Sequence, residues 1–164
     1  MSKLLDIIIH PNPILRKKSQ EINLTDIASK KIKELLLNME ITMKEKDGAG
    51  LAAPQIGLNI RLIVINQDSK TLFMFNPKIT KKSWAKETEE EGCLSVLGKK
   101  GEILYAPVSR HKKINCLYFD SKGKKKTLTA EKMLARVIQH EIDHLDGILF
   151  IDHLKNLKAQ PKNK

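Results

Sequence analysis

The stretch from Ala130 to Leu145 constrains this chain more than any other, because it spells a helix that carries His140-Glu141-Ile142-Asp143-His144. Thr129 can cap that helix, Glu131 suits the positive end of its dipole, and Gly147 stands where a glycine stop belongs. Leu134, Ile138, Ile142 and Leu145 form an apolar stripe, so the helix packs against a sheet. His140 and His144 lie one turn apart on a different side. Both imidazoles can reach one metal ion there, with Glu141 beside them to handle a proton. The pattern suits a metal hydrolase. Two histidines do not by themselves complete a site, and a pair of surface or core histidines is the plain alternative.

A third ligand is not available downstream in the usual protease manner. In the extended pattern H-E-x-x-H-x-x-G-x-x-H the glycine falls on Gly147, but the last ligand position is Phe150. Glu141 is the last glutamate, and Asp152 and His153 follow an apolar run that makes them solvent-facing or turn residues. Upstream, Cys93 in Glu90-Glu91-Gly92-Cys93-Leu94-Ser95 offers a thiolate, with Gly92 allowing close backbone approach. Two imidazoles, one thiolate and one water make a four-coordinate centre of catalytic type. A small buried cysteine is the competing reading for Cys93, and it is the one adopted for Cys116, which lies in an alternating strand.

The remaining chain supplies an α+β domain. From Thr25, a good N-cap, Ala28, Ile32, Leu35, Leu36, Met39 and Met43 line one helix face. Gly48 to Gly57 reads as a shaped loop or irregular strand. Its match to a dinucleotide fingerprint lacks the preceding strand, and Pro54 would disturb the following helix. Two hairpins are expected, residues 61–66 with 72–76, limited by Pro77, and 114–119 with 125–128, turning at Asp120 to Gly123. Two cysteines are too few for a disulfide framework, and no apolar run approaches the ~20 residues of a membrane span. Without a secretory signal, the expected setting is cytoplasmic. The net charge of +11 is spread evenly. It favours polyanionic company such as ribosomal RNA without defining a site, a lysine-rich bias that simply keeps the protein soluble is at least as good a reading, and the aromatics that would interleave a stacking platform are almost absent.

Three motifs in order resemble peptide deformylases: Gly48-Ala49-Gly50-Leu51-Ala52-Ala53-Pro54-Gln55, Glu91-Gly92-Cys93-Leu94-Ser95, and Gln139-His140-Glu141-Ile142-Asp143-His144-Leu145. The opening His10 to Arg16 and the closing Gly147 to Leu154 are also similar to that family, so the resemblance spans nearly the whole chain. It implies antiparallel sheets packed around a central metal-binding helix in one catalytic domain, residues 1–154, followed by a flexible basic tail, 155–164. It implies metal ligation by Cys93, His140 and His144, and acid/base work by Glu141. The Gln55 side-chain amide and the Leu94 backbone N–H become oxyanion donors, and Gly50 a peptide contact. The family implies ferrous iron, replaceable by nickel, cobalt or zinc, and release of formate from N-formylmethionyl nascent peptides by a monomer. The methionine that the resemblance implies needs an apolar pocket, for which helical spacing offers Val137 and Met133 beside the metal, with Ala49 and Leu51 as further walls; plain core positions are the alternative reading for all four. The sequence departs from the family at Leu97, usually proline, and in a lysine-rich stretch from Gly98 to His111 expected as a loop by the cleft. The rivals are a metallopeptidase or other amide hydrolase with the same centre, and a basic ribosome- or nucleic-acid-binding module with a structural metal.

Overall fold

The computed structural model describes residues 3–67 and 70–158. In chain order the elements are α1 (Lys30–Glu45), β1 (Gly50–Ala52), β2 (Leu62–Gln67), β3 (Lys70–Lys82), β4 (Lys86–Leu97), β5 (Ile103–His111), β6 (Lys113–Phe119), β7 (Lys125–Glu131), α2 (Lys132–Leu145) and α3 (Phe150–Lys158). Five strands form one sheet in the order β1-β2-β3-β6-β7, with every neighbouring pair antiparallel. The other two, β4 and β5, pair as a separate antiparallel hairpin. This is an α+β architecture with antiparallel sheets around α2.

Leu62-Ile63-Val64-Ile65 in β2 are all fully buried, which a strand achieves only with cover on both faces. Leu62 and Val64 join Leu36, Met39 and Met43 of α1 on one face. Ile63 and Ile65 join Ile138, Ile142 and Leu145 of α2 on the other. Strand alternation extends this partition to β1, where Leu51 packs on the α1 side and Ala52 on the α2 side. A third cluster, including Cys93, Val96 and Val108, packs the β4–β5 hairpin against Leu149 and Phe150. The central helix is therefore held between a sheet and a hairpin.

Several boundaries differ from those read in the sequence. Helix α1 starts later than Thr25: residues 24–26 form a separate 3-10 turn capped by Asn23, and the Ser29 hydroxyl accepts from Ile32 N–H (3.3 Å) as the real cap. Thr129 does not cap α2. It pairs with Asn115 in β7, whose ladder with β6 runs to Glu131, so α2 opens at Lys132 in a left-handed backbone conformation (φ 54°). Pro77 does not end β3, because the register shifts between Phe75 and Lys78 and the missing N–H falls in that irregularity. The stretch Gly98 to His111 is a short turn followed by strand β5, not a loop. The expected tail is helical over 155–158 as the end of α3, while residues 159–164 lie outside the described residues. Gly147 does close α2 (φ 74°), with Ile148 N–H donating to Asp143 O (2.9 Å).

Candidate active site

Cys93 comes from β4, and His140 and His144 from α2, elements 47 and 51 residues apart in sequence (140 − 93 and 144 − 93). Their donor atoms all lie within 4.8 Å of one another, and Cys93 Sγ is 3.2 Å from His144 Nε2. Two ring nitrogens and one sulfur in such a cluster fit a single borderline-soft divalent metal ion. Cys93, His140 and Glu141 line a cleft of about 400 Å³, and His144 is buried. Glu141 is buried, and its Oε2 has no hydrogen-bonding partner. Burial pushes its carboxyl up to about 7, partly opposed by the positive charge of His140.

His140 is oriented by a partner, whereas the buried Nδ1 of His144 has none among the described residues. Glu91, two residues before Cys93, holds His140 Nδ1 at 3.0 Å. The same carboxylate takes a fork from Arg110, Nε at 2.8 Å and Nη2 at 2.9 Å, and a bond from Arg136 Nη1 at 2.7 Å. Burial opposes the charge on Glu91, but the Arg110 and His140 contacts outweigh it and hold the carboxyl well below its ordinary range. At His140, burial opposes the imidazolium, while the contacts with Cys93 and Glu91 raise its pKa to about 10. His144 is driven well below its usual value by burial and by the charge of His140. Asp143 extends the network to Arg110 and to His153 Nε2 (2.8 Å). Asp152 accepts from Leu149 N–H and pairs with Arg16. Neither Asp152 nor His153 joins the ligand cluster.

Gln55 sits in the 3-10 turn Ala53–Ile56 directly after β1. Its Oε1 accepts from Ala52 N–H (2.8 Å), which orients Nε2 towards Ser95 Oγ (3.2 Å) and Cys93 Sγ (3.5 Å). Leu94 lines the same cleft beside the cysteine. Gly50 packs against Glu141 so closely that a Cβ there would stand 2.5 Å from Oε1. Across the cleft, a Cβ on Gly92 would stand 2.6 Å from the Tyr105 ring. Ala49, Val137 and Met133 line the cleft, the last 60% exposed at its mouth. Leu51 does not: alternation turns it into the α1 cluster, where it is fully buried. Cys116 is likewise a core residue.

The sequence reading gave no role to Glu91, Arg110, Arg136 or Tyr105. Arg136 had a visible signal, being one turn before His140 on the metal-binding helix, and Glu91 adjoins the cysteine. Arg110 and Tyr105 had none, because strand β5 went unrecognised.

A thiolate and two imidazoles beside a buried carboxylate, at the base of a cleft walled by an edge strand and a hairpin, define a metal-dependent hydrolase of extended peptide-like substrates. The polypeptide deformylase family model matches residues 4–160. A peptide deformylase of Desulfotalea psychrophila is 43% identical over 94% of this chain and 90% of its own length, and one from Orientia tsutsugamushi is 40% identical over 96% and 90%. Among solved structures, a class I type b peptide deformylase from Acinetobacter baumannii bound to Met-Ala-Ser superposes with a TM-score of 0.88 at 29% identity, covering 93% of this chain and 99% of that one. The peptide deformylase from Thermotoga maritima gives 0.84 at 32%, covering 92% and 97%. This chain belongs to the peptide deformylase family. It is an enzyme that removes the N-formyl group from nascent polypeptides, and its Cys93, His140 and His144 cluster is the site for a single metal ion. No helix among the described residues is long and apolar enough to cross a membrane.

Proposed function

We propose that this chain deformylates N-formylmethionyl peptides with Fe²⁺ held by Cys93, His140 and His144, Glu141 acting as acid and base, and Gln55 and Leu94 as oxyanion donors. A divalent cation held there supplies an acidified water and favours the carboxylate form of Glu141. Glu141 accepts the proton of the water that attacks the formyl carbon. As negative charge grows on the former carbonyl oxygen, Gln55 Nε2 and the Leu94 N–H donate to it. Glu141 then returns its proton to the peptide nitrogen, the C–N bond breaks, and formate leaves with a free α-amino group on the peptide. The observation that carries this reading is Glu141, which lines the cleft beside the ligand cluster and has a buried oxygen without a partner among the described residues.

Substrate binding follows from the edge position of β1 in the sheet. Its free side, at Ala49 and Gly50, can pair with an extended peptide, which places the first side chain against Val137 and Met133. Methionine is the side chain in this reading, as in the Met-Ala-Ser bound to the Acinetobacter baumannii relative. The protein acts as a cytoplasmic monomer, with a surface contact to the ribosome. The test is formate release from formyl-Met-Ala-Ser by protein purified anaerobically, alongside Glu141→Ala and metal analysis. Glu141→Ala should lose roughly 10²–10⁴ in rate with its metal retained. Equal activity of the two proteins removes Glu141 from the mechanism, and active protein purified anaerobically whose metal analysis shows no iron removes iron.

A further inference from the structure

Trp84, the only tryptophan in the chain, is 98% exposed on the connection between β3 and β4. The backbone beneath it is pinned. Ser83 N–H donates to Lys113 O (2.8 Å), Lys113 N–H to Ser83 Oγ (3.1 Å), and Lys112 N–H to Ala85 O (3.0 Å). His111 Nδ1 lies 2.6 Å from Ser83 O. The indole therefore stands on a fixed base rather than on a loose loop. These same contacts bring exposed lysines to the junction that carries it: Lys82 ends β3, Lys86 opens β4, and Lys112, Lys113 and Lys132 lie at the backbone bonds of the next two junctions. Glu131 takes up the charge of Lys113 (2.8 Å), which leaves Lys82, Lys86 and Lys112 as the cations nearest the indole along the chain and its junctions, while Glu87 alternates to the other face of β4 from Lys86.

We propose that this corner binds unpaired RNA, with Trp84 stacking on a nucleobase and the surrounding lysines neutralising the adjoining phosphates. An exposed aromatic face within a basic surface is the chemistry that takes single strands, since stacking is sequence-tolerant and counterion release drives the phosphate contacts. A protein partner is disfavoured because lysine is depleted from the cores of protein interfaces. A lipid surface is disfavoured because the neighbours Ser83 and Ala85 add almost no apolar area to the single indole, whereas interfacial elements bury a broad apolar face. The corner is seven strand residues from Cys93 (93 − 86), about 23 Å at the usual rise. The inference goes beyond the catalytic reading, and deformylation, or contact with the ribosome through another face, would survive its failure.

Because Trp84 is the sole tryptophan, its fluorescence reports the contact directly. A short single-stranded oligoadenylate should quench it saturably, with an affinity that falls as salt rises. Trp84→Ala should weaken binding of the labelled oligonucleotide roughly 5- to 100-fold, and Trp84→Phe should restore part of it. Lys82→Ala with Lys112→Ala should flatten the salt dependence by about 0.7 per lysine removed. Formate release should be unchanged in all of these variants. The proposal is overturned if the oligonucleotide leaves Trp84 emission unaltered, or if Trp84→Ala binds as tightly as the parent. It is also overturned if phosphatidylglycerol vesicles blue-shift the emission while RNA does not.

Discussion

Gly50→Ala isolates the positioning of Glu141 from every other feature of the centre. The new methyl carbon would stand 2.5 Å from Glu141 Oε1 and 2.8 Å from both Cδ and Cγ, where ordinary contact begins near 3.4 Å. The carboxylate must therefore withdraw by about 0.9 Å (3.4 − 2.5), unless the β1 backbone moves instead. The backbone is poorly placed to yield, because Gly50 is paired with Ile65 and its neighbours Leu51 and Ala52 are fully buried on opposite faces of the sheet. A general base works over a heavy-atom window of roughly 2.6–3.2 Å, so a displacement of ~0.9 Å carries Glu141 out of reach of its proton. Misplacement by about an ångström costs on the order of 10²-fold in rate. The expected result is a kcat for formate release lowered ~100-fold, a KM changed far less, and one metal ion per chain still present. A Gly50→Ala enzyme with normal kcat would refute the reasoning. A KM effect without a kcat effect would make Gly50 a peptide contact alone, and loss of metal would shift the fault to the ligands.

Gln55→Ala should lower kcat by roughly 10²–10³ with metal content unchanged, since it removes one donor to the developing oxyanion; a rate within threefold of the parent would exclude that role. Glu91→Gln should weaken metal retention against a chelator by about 10–100-fold, because His140 loses the carboxylate that orients it. The pKa of Glu91 is depressed on folding, so it adds stability above the unfolded value of roughly 4.3 and that stability drains as pH falls through the folded value. Acid unfolding of metal-free Glu91→Gln should accordingly be less steep below that pH than in the parent, and identical slopes would show that Glu91 is not a linked group. Cys116, whose thiol is pushed up to about 11 by burial, should resist iodoacetamide near neutral pH until the protein unfolds, and rapid labelling of the native protein, mapped by mass spectrometry, would contradict its place in the core.

Sequence reading succeeded where a local period and a chemical motif coincided. The apolar stripe of α2 and the four-residue spacing of His140 and His144 are properties of one helix, so both were visible without tertiary information. Cys93 was found by chemistry and family likeness, although its strand was not. Strands β4 and β5 were missed because their pattern is weak. Residues 86–91 are mostly acidic and exposed, and Pro107 interrupts the partner strand. Only pairing across the hairpin, such as Glu90 with Pro107 and Gly92 with Tyr105, makes them a sheet. Leu51 shows the converse error. Its motif places it beside Gly50, yet period-two alternation sends adjacent side chains to opposite faces, so a cleft at Gly50 cannot also receive Leu51.

Glu91 explains why a cysteine from a hairpin can meet two histidines from a helix with precision. Metal ligands drawn from separate elements are only as well placed as the joint between those elements, and here that joint is ionic. Arg136 belongs to α2, Arg110 to β5 and Glu91 to β4, and all three side chains are buried. An isolated carboxylate in that position would be costly to bury, but two guanidiniums and an imidazole satisfy both of its oxygens. Arg136 also donates to Val108 O (2.9 Å) and Glu87 O (2.8 Å), so the cluster ties the helix to both strands of the hairpin by backbone as well as by charge. Hydrophobic contact alone could let the hairpin slide along α2, because apolar packing is not directional. Hydrogen bonds from a fixed fork cannot tolerate such sliding. The residues that set the geometry of the metal centre are therefore the arginines as much as the ligands.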